Sequence, residues 1–468
     1  MRNAHPRYMC YPSVVCVGRE TEVTIYPEDL SRRFMPERKY ELCVLALGED
    51  FISYHDPLVM DHPYTLDGGC LKFTHTFSKE QEYSIRFREN GGAEIIVPLY
   101  AVNEDLYALR PLKGDMHSHS YYSDGQDGYI MTPADYREEG FDFFALTDHN
   151  RMYTSQLINE LYEGVPLGMH MMVGEEVHTP GSTLHIVHVG GKWSVAARYI
   201  KESAAYETEV DAIEAELTNV PEYYRRKAAM AKWACDNIHA AGGMAIYAHP
   251  YWKPKNYNVS EEFSNILFEM GIFDAFELVG GIGTKSCNMQ LALWQDQALK
   301  GRKLPVVGSS DSHDHDFEKG GFGRRFSVVF ARENTTEAII EAIRAGYSVA
   351  GELPGTSNSD IRFYGDLRLV TFAHFLFENY FNYTWRLCVG EGILMRRFAQ
   401  SQECAEPLAM LSNSVENFYK KFYGIAPPPA IPEAHIGYLD KGLALQRVEG
   451  PETKGSAIAF RGDNGRRE

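Results

Sequence analysis

Histidine and carboxylate residues recur in short groups along the middle of this chain. The groups are His117-Ser118-His119 with Ser123-Asp124-Gly125, Thr147-Asp148-His149-Asn150, Gly174-Glu175-Glu176, His185 and His188, His249-Pro250, and Ser310-Asp311-Ser312-His313. Eleven of the 17 histidines lie between His117 and His315. Imidazole mixed with carboxylate suits Zn, Mn or Fe, whereas a Mg or Ca site is nearly all oxygen. Residues two apart on an extended strand share a face, so His117 with His119, and Asp311 with His313, can each chelate from one strand end. The candidate ligands outnumber the roughly four or five that one ion takes. Two or three divalent ions (Mn, Fe or Zn) are the natural cofactors, with Glu176 or Asp311 as a bridging carboxylate. Each group alone is weak, since an HxH recurs by chance and Asp148 or Asn150 could simply cap a helix or turn. The signal is their joint, ordered occurrence.

The elements that must position these residues have a strand–helix rhythm. Apolar runs at Phe143–Leu146, Met171–Val173, Leu184–Val189, Met244–Ala248, Ala275–Val279 and Leu304–Val307 alternate with helical patterns at Thr132–Glu139, Glu207–Leu217, Pro221–Ala240 and Thr335–Ala345. Such alternation predicts an α/β domain with a parallel, barrel-like sheet, whose C-terminal strand ends converge on one mouth. The ligand-type residues follow the strands, so residues far apart in sequence are expected to meet there.

The flanks read differently. Tyr11–Val17, Glu22–Tyr26, Tyr40–Leu47, Cys70–Phe77, Tyr83–Phe87 and Ala93–Leu99 are short, rich in β-branched and aromatic residues, and separated by turns such as Asp67-Gly68-Gly69. They predict an N-terminal antiparallel β-sandwich. Phe372–Arg397 and Gln402–Phe422 read as helices, Pro427-Pro428-Pro429 breaks the run, and Gly450–Glu468 reads as a polar tail. The expected domains are 1–110, 111–353 and a helical extension over 354–468.

The chain has 468 residues and a formal net charge of −18. That charge excludes the broad basic face that duplex nucleic acid needs. Eight scattered cysteines without a CxxC pair do not form a disulfide framework. Neither an apolar leader nor an 18-residue apolar run is visible, so the expectation is a reduced, cytoplasmic protein without a membrane partner.

The ordered set HxHxxxSDG, TDHN, GxE, an inner His, AHP and SDSH resembles the PHP (polymerase and histidinol phosphatase) metallohydrolase family over roughly residues 111–351. The resemblance implies a distorted (β/α)7 barrel with two or three metals. Carried over by motif, the ligands are His117, His119, Asp124, His149, Glu176, His185, His249, Asp311 and His313. Glu175 and His188 are the competing choices beside Glu176 and His185. An aspartate at Asp124 is similar to the small-phosphoesterase group. The segment Ser327–Ala350, after a β-domain, is similar to a branch that includes carbamate- and aryl-ester-cleaving enzymes.

The implied activity is a metal-dependent phosphoesterase, using metal-activated hydroxide on a small phosphorylated substrate such as a nucleotide. His249, Asp311 and His313 are candidate catalytic groups, and Asp148 could orient the neighbouring imidazole. Arg151, Lys253, Arg324 and Arg325 are candidate phosphate contacts. Tyr121, Tyr122, Tyr251 and Trp252 flank the ligands and could stack on a planar group or line the mouth. The alternatives are an ester, amide or carbamate hydrolase on the same ligands, and a non-catalytic, metal-stabilised binding module.

Overall fold

β-Branched and aromatic residues in the first hundred positions build two four-stranded sheets. The computed structural model describes residues 6–49, 57–315, 322–354, 360–401 and 403–449. The strands are β1 (Tyr8–Tyr11), β2 (Val14–Cys16), β3 (Glu20–Pro27), β4 (Tyr40–Ala46), β5 (Thr65–Asp67), β6 (Cys70–Thr76), β7 (Gln81–Glu89) and β8 (Ile95–Val102). Their orders are β1-β3-β6-β5 and β2-β8-β7-β4. Val23, Ile25, Leu71 and Phe73 of one sheet share a buried cluster with Leu42, Ile85, Phe87 and Leu99 of the other, which is sandwich packing. The strand expected at Tyr11–Val17 is two strands in different sheets. Pro12, which cannot donate to a ladder, separates them.

From Arg110 onward one sheet runs through the molecule. Its strands are β9 (Arg110–Asp115), β10 (Phe143–Leu146), β11 (His170–Val177), β12 (Ile186–Val189), β13 (Met244–Tyr247), β14 (Ala275–Val279), β15 (Val306–Gly308), β16 (Arg325–Ala331), β17 (Ser348–Glu352) and β18 (Arg362–Tyr364). The order is β15-β14-β13-β12-β11-β10-β9-β16-β17-β18. Ten strands thus stand where seven were expected, and the sheet is mixed rather than parallel. β12 is antiparallel to both neighbours. The segment between β11 and β12 is too short for the crossover that a parallel pair requires. β16 returns antiparallel beside β9, with Ser327 opposite Gly114.

The sheet is nearly closed into a barrel. Ser327 on β16 accepts from the Gly308 amide at 3.1 Å and donates to its carbonyl at 2.9 Å. Ser348 on β17 donates to the Val306 carbonyl at 2.8 Å. Two side chains thereby join β15 to the far side of the sheet.

The C-terminal helices pack on the barrel. Leu367–Leu376 continues through a π-helical turn into Asn382–Ser401. Phe372, Phe375 and Tyr380 lie in one buried cluster with Met9, Tyr100, Phe144 and Phe330. That cluster spans all three ranges expected as domains. A fully buried Arg137 locks the contact. Its Nε donates to Glu391 at 2.8 Å and its Nη1 to the Phe141 carbonyl at 2.8 Å. The region 427–429 separates helix Ser414–Phe422 from helix Glu433–Glu449, and Gly450–Glu468 lies outside the described residues. Among the described residues no helix is long and apolar enough to cross a membrane, and every described cysteine is free.

Candidate metal centre

The strand ends meet as the alternation requires. β9 leads to His117 and His119, β10 to His149, β13 to His249, and β15 to Asp311 and His313, while Glu176 lies on β11 and His185 just precedes β12. Short bridges carry the sheet past the strand ends, pairing Ser118 with Ser312 and His149 with Glu176. The His119 amide donates to Ser312 and the Asn150 amide to Glu176, both at 2.8 Å.

Asn150, His249 and Asp311 hold left-handed backbone conformations, with φ of 55°, 23° and 48°. Non-glycine residues there cost about 1–3 kcal/mol each, and such strain gathers at functional sites. Gly281 lets the Asp311 turn approach. A Cβ at Gly281 would stand 2.4 Å from the Ser310 carbonyl oxygen.

Glu176 is the hub. Its carboxylate lies within reach of six imidazoles: His149 Nδ1 at 2.8 Å, His185 Nδ1 at 2.8 Å, His249 Nε2 at 3.1 Å, His117 Nε2 at 3.3 Å, His119 Nε2 at 3.4 Å and His178 Nε2 at 3.5 Å. Asp311 is the second shared carboxylate, 3.1 Å from His119 Nε2 and 3.3 Å from His117 Nε2. Asp124 forms an outer group, 3.2 Å from His149 Nε2 and 3.3 Å from His313 Nε2. All nine residues expected as ligands therefore lie in one connected cluster.

Strand register separates the competing choices. Glu175 pairs with His188 and Glu176 with Val187. Side chains alternate, so Glu175 and His188 share the face opposite the cluster. There Glu175 accepts from the Val195 amide and the Ser194 hydroxyl, both at 2.6 Å, and caps the helix Val195–Lys201.

Two further residues join the cluster that the motifs did not single out. Glu277, buried on β14, lies 2.7 Å from His117 Nδ1. A charge in the middle of the apolar run Ala275–Val279 was a readable signal. His178 directly follows β11, and its spacing of two from Glu176 was a readable signal of the same kind as His117 with His119.

Of the two readings offered for Asp148, an orienting carboxylate and a turn cap, its hydrogen bonds fit the cap. It is buried, and its carboxylate accepts from the Ser120 amide, the Ser120 hydroxyl and the Ser123 hydroxyl, each at 2.7 Å. It thereby clamps the loop after His119. The cationic residues are also engaged. Arg151 donates to the Tyr122 carbonyl, Lys253 lies over the Tyr257 ring, and Arg325 pairs with Glu352 at 3.6 Å. Arg324, half-buried just before β16, is also engaged.

The electrostatics are those of buried carboxylates amid imidazoles. Burial works to raise the Glu176 carboxyl, but His185 and His117 hold it well below the usual range. Asp311 is likewise held low against its burial by His117, His119 and His249. Asp124 is lowered by His149 and His313, which outweigh its burial. Burial lowers His185 to about 4, against Glu176, and also lowers His119. His249 is raised to about 9 because Glu176 and Asp311 outweigh its burial.

The residues fit divalent ions. His117 Nε2, His149 Nδ1, Glu176 Oε2, His178 Nε2, His185 Nδ1 and His249 Nδ1 are buried without a hydrogen-bond partner. Leaving such atoms unsatisfied costs about 1–3 kcal/mol each. Most of them face an opposing ligand atom at hydrogen-bond distance but at the wrong angle. Cations between them satisfy lone pairs on both sides at once. Among the described residues five overlapping groups could do this, and three of them are His119, Asp124, His149 and His313; His117, His119 and Glu176; and Glu176, His185 and His249.

No family model matches the chain, and no curated protein matches it. Solved structures do. A two-domain protein from Bacteroides vulgatus containing a predicted PHP-like metal-dependent phosphoesterase matches with TM-score 0.36 and 22% identity over 52% of this chain. This chain covers 65% of that protein's length. A candidate metal-dependent phosphoesterase from Bifidobacterium adolescentis matches with TM-score 0.31 and 18% identity, over 43% of this chain and 87% of its own. An amidohydrolase from Chromobacterium violaceum, with bound sulfate and no metal, matches with TM-score 0.29 and 20% identity, over 44% of this chain and 89% of its own.

Proposed function

We propose that this PHP-like chain is a metal-dependent phosphoesterase acting on a small phosphorylated substrate at a di- or trinuclear centre. One observation carries the reading: the Glu176 carboxylate sits among six imidazoles while buried donor atoms around it have no hydrogen-bond partner. His117, His119, Glu176 and Asp311 would hold one ion, Asp124, His149 and His313 a second, and Glu176, His185 and His249 a third. Bound there, divalent metals supply a nucleophile at neutral pH and positive charge opposite the phosphoryl oxygens.

The protein's own groups do the rest. Glu277 accepts the Nδ1 proton of His117, which leaves Nε2 as a lone-pair donor toward Glu176 and Asp311. Asp124 and His313, with side chains 52% and 37% exposed, are the ligands that open to solvent. Substrate therefore arrives on their side, while His313, whose Nδ1 lies 2.9 Å from the Asp311 carbonyl, is committed as a ligand through Nε2. Asp148 holds the Ser120–Ser123 loop so that Asp124 keeps its place beside His149 and His313. Exposed Tyr121 and Trp252 frame the mouth, the latter beside His185 and His249.

The engaged cations favour a second reading. Arg151, Lys253 and Arg325 already have partners, and a less anionic carboxyl or carbamoyl ester asks less of them. An assay of Mn²⁺-loaded protein against an aryl phosphate, nucleotide phosphates and aryl esters separates the two. Phosphate release that inorganic phosphate inhibits, and that Asp311→Ala abolishes, is the expected result. Ester turnover without phosphate release selects the second reading. Stoichiometric metal with every substrate inert selects a non-catalytic module.

A further inference from the structure

His178 stands outside the nine residues that the motifs supply, yet its ring is built into the centre. Its Nε2 is buried, has no hydrogen-bond partner and lies 3.5 Å from Glu176 Oε2. The same Glu176 oxygen is 2.8 Å from His149 Nδ1, and the three residues form a further group able to hold an ion. The backbone at His178 is fixed from two sides. Its amide donates to Asn150 Oδ1 at 2.8 Å, and its carbonyl accepts from the Tyr199 hydroxyl at 2.7 Å. Tyr199 also donates to Asn150 Oδ1, so the residue after His149 and the residue carrying the new ring share one buried anchor.

The ring lies flat on His185, with centroids 3.6 Å apart and planes at 25°, and 4.3 Å from the His149 ring. A packed core histidine fits poorly, because such a residue has its ring nitrogens paired. A buried ring nitrogen without a partner, facing the same carboxylate oxygen as the His149 Nδ1, has the geometry of a metal ligand.

We propose that His178 is a tenth ligand of the centre, holding an ion together with His149 and Glu176. The inference rests on the metal-centre reading above and adds a residue to it. It carries a consequence for His149, which faces Asp124 with Nε2 and the His178 side with Nδ1: a neutral imidazole has one lone pair, so the ring serves either the outer or the inner position unless it gives up its remaining proton.

The test is zinc content by elemental analysis and zinc affinity by chelator competition, on the full chain and without substrate. The variants are His178→Gln, His178→Asp and His188→Gln. His178→Gln is expected to lose one zinc equivalent or bind it about tenfold or more weakly. His178→Asp, which restores an anionic donor, should recover that equivalent, and His188→Gln should match the unaltered chain. The cobalt-substituted protein gives a second readout, since loss of an imidazole shifts its visible absorption. Full zinc content and unchanged affinity in His178→Gln would overturn the inference while leaving the centre standing. Failure of the unaltered chain to bind zinc would overturn the metal-centre reading itself.

Discussion

Two carboxylate–imidazole pairs occupy opposite faces of the same two strands. Glu175 meets His188 Nδ1 at 3.2 Å on one face, and Glu176 meets His185 Nδ1 at 2.8 Å on the other. Both carboxylates are fully buried. The difference lies in what surrounds them. Glu175 spends its oxygens on two amides, a hydroxyl and one ring, as a helix cap does. Glu176 faces rings and little else, and several of those ring nitrogens have no partner. A buried acid beside a histidine is therefore not by itself a metal site. The unsatisfied remainder of the shell is what marks one.

Substitutions at the two glutamates should break this symmetry, and the largest effect belongs to Glu176. Glu176→Ala removes the group shared by all the inner positions. Several kcal/mol of charge stabilisation are at stake, so turnover should fall by about 10³-fold or more. Metal content should fall with it, read by elemental analysis. Glu277→Gln comes next. It keeps the shape but weakens the acceptor for His117 Nδ1, and metal affinity should drop about 10–100-fold in chelator competition. The melting temperature of the metal-free protein should barely move.

Glu175→Ala should behave in the opposite way. It strands the helix-cap donors and His188 in the interior, at a cost of about 1–3 kcal/mol. Chemical denaturation should record that loss, while zinc content and turnover per folded molecule stay unchanged. An equal loss of metal in Glu175→Ala and Glu176→Ala would erase the distinction between the faces.

The smallest effect is expected at an acid far from both faces. Asp105 is held at about 2, chiefly by hydrogen bonds from Arg368 at 2.5 and 2.6 Å. Its contribution is present above the ordinary carboxyl value of about 3.9 and fades as pH falls through about 2. Asp105→Asn should lower stability at neutral pH slightly, because the pair is partly exposed, and should flatten the acid limb between roughly pH 4 and 2. Metal affinity at neutral pH should be untouched.

Much of the centre was legible in the sequence. Ligand types sit where predicted strands end, and a barrel brings such positions together regardless of their separation in the chain. Parity was harder to read. Gly174-Glu175-Glu176 offers an acid to each face, and only the pairing of Glu175 with His188 settles which one turns inward. The same register places His185, just ahead of β12, on the inner side. His178 follows β11 directly with the parity of Glu176, so the spacing Glu176-Val177-His178 made it legible, and hydrogen bonds to Asn150 and Tyr199 fix its backbone. Asp148 left two readings open in sequence, an orienting carboxylate and a turn cap, and its hydrogen bonds to Ser120 and Ser123 fit the cap.

The fold shows a similar division. The apolar runs that end in ligands matched strands, but β12, β16, β17 and β18 depend on short connections and antiparallel returns that alternation does not reveal. The aromatic run from Phe372 to Tyr380 was readable as a buried face. Its partner, the barrel side bearing Arg137 and Phe330, is a matter of tertiary packing.

The most direct test of the central claim is an anomalous-scattering map from crystals soaked in Mn²⁺ at neutral pH. At least two strong peaks are expected within the cluster, one among His117, His119, Glu176 and Asp311 and one among Asp124, His149 and His313. A well-ordered protein with those side chains in place and no anomalous peak near Glu176 would contradict that claim.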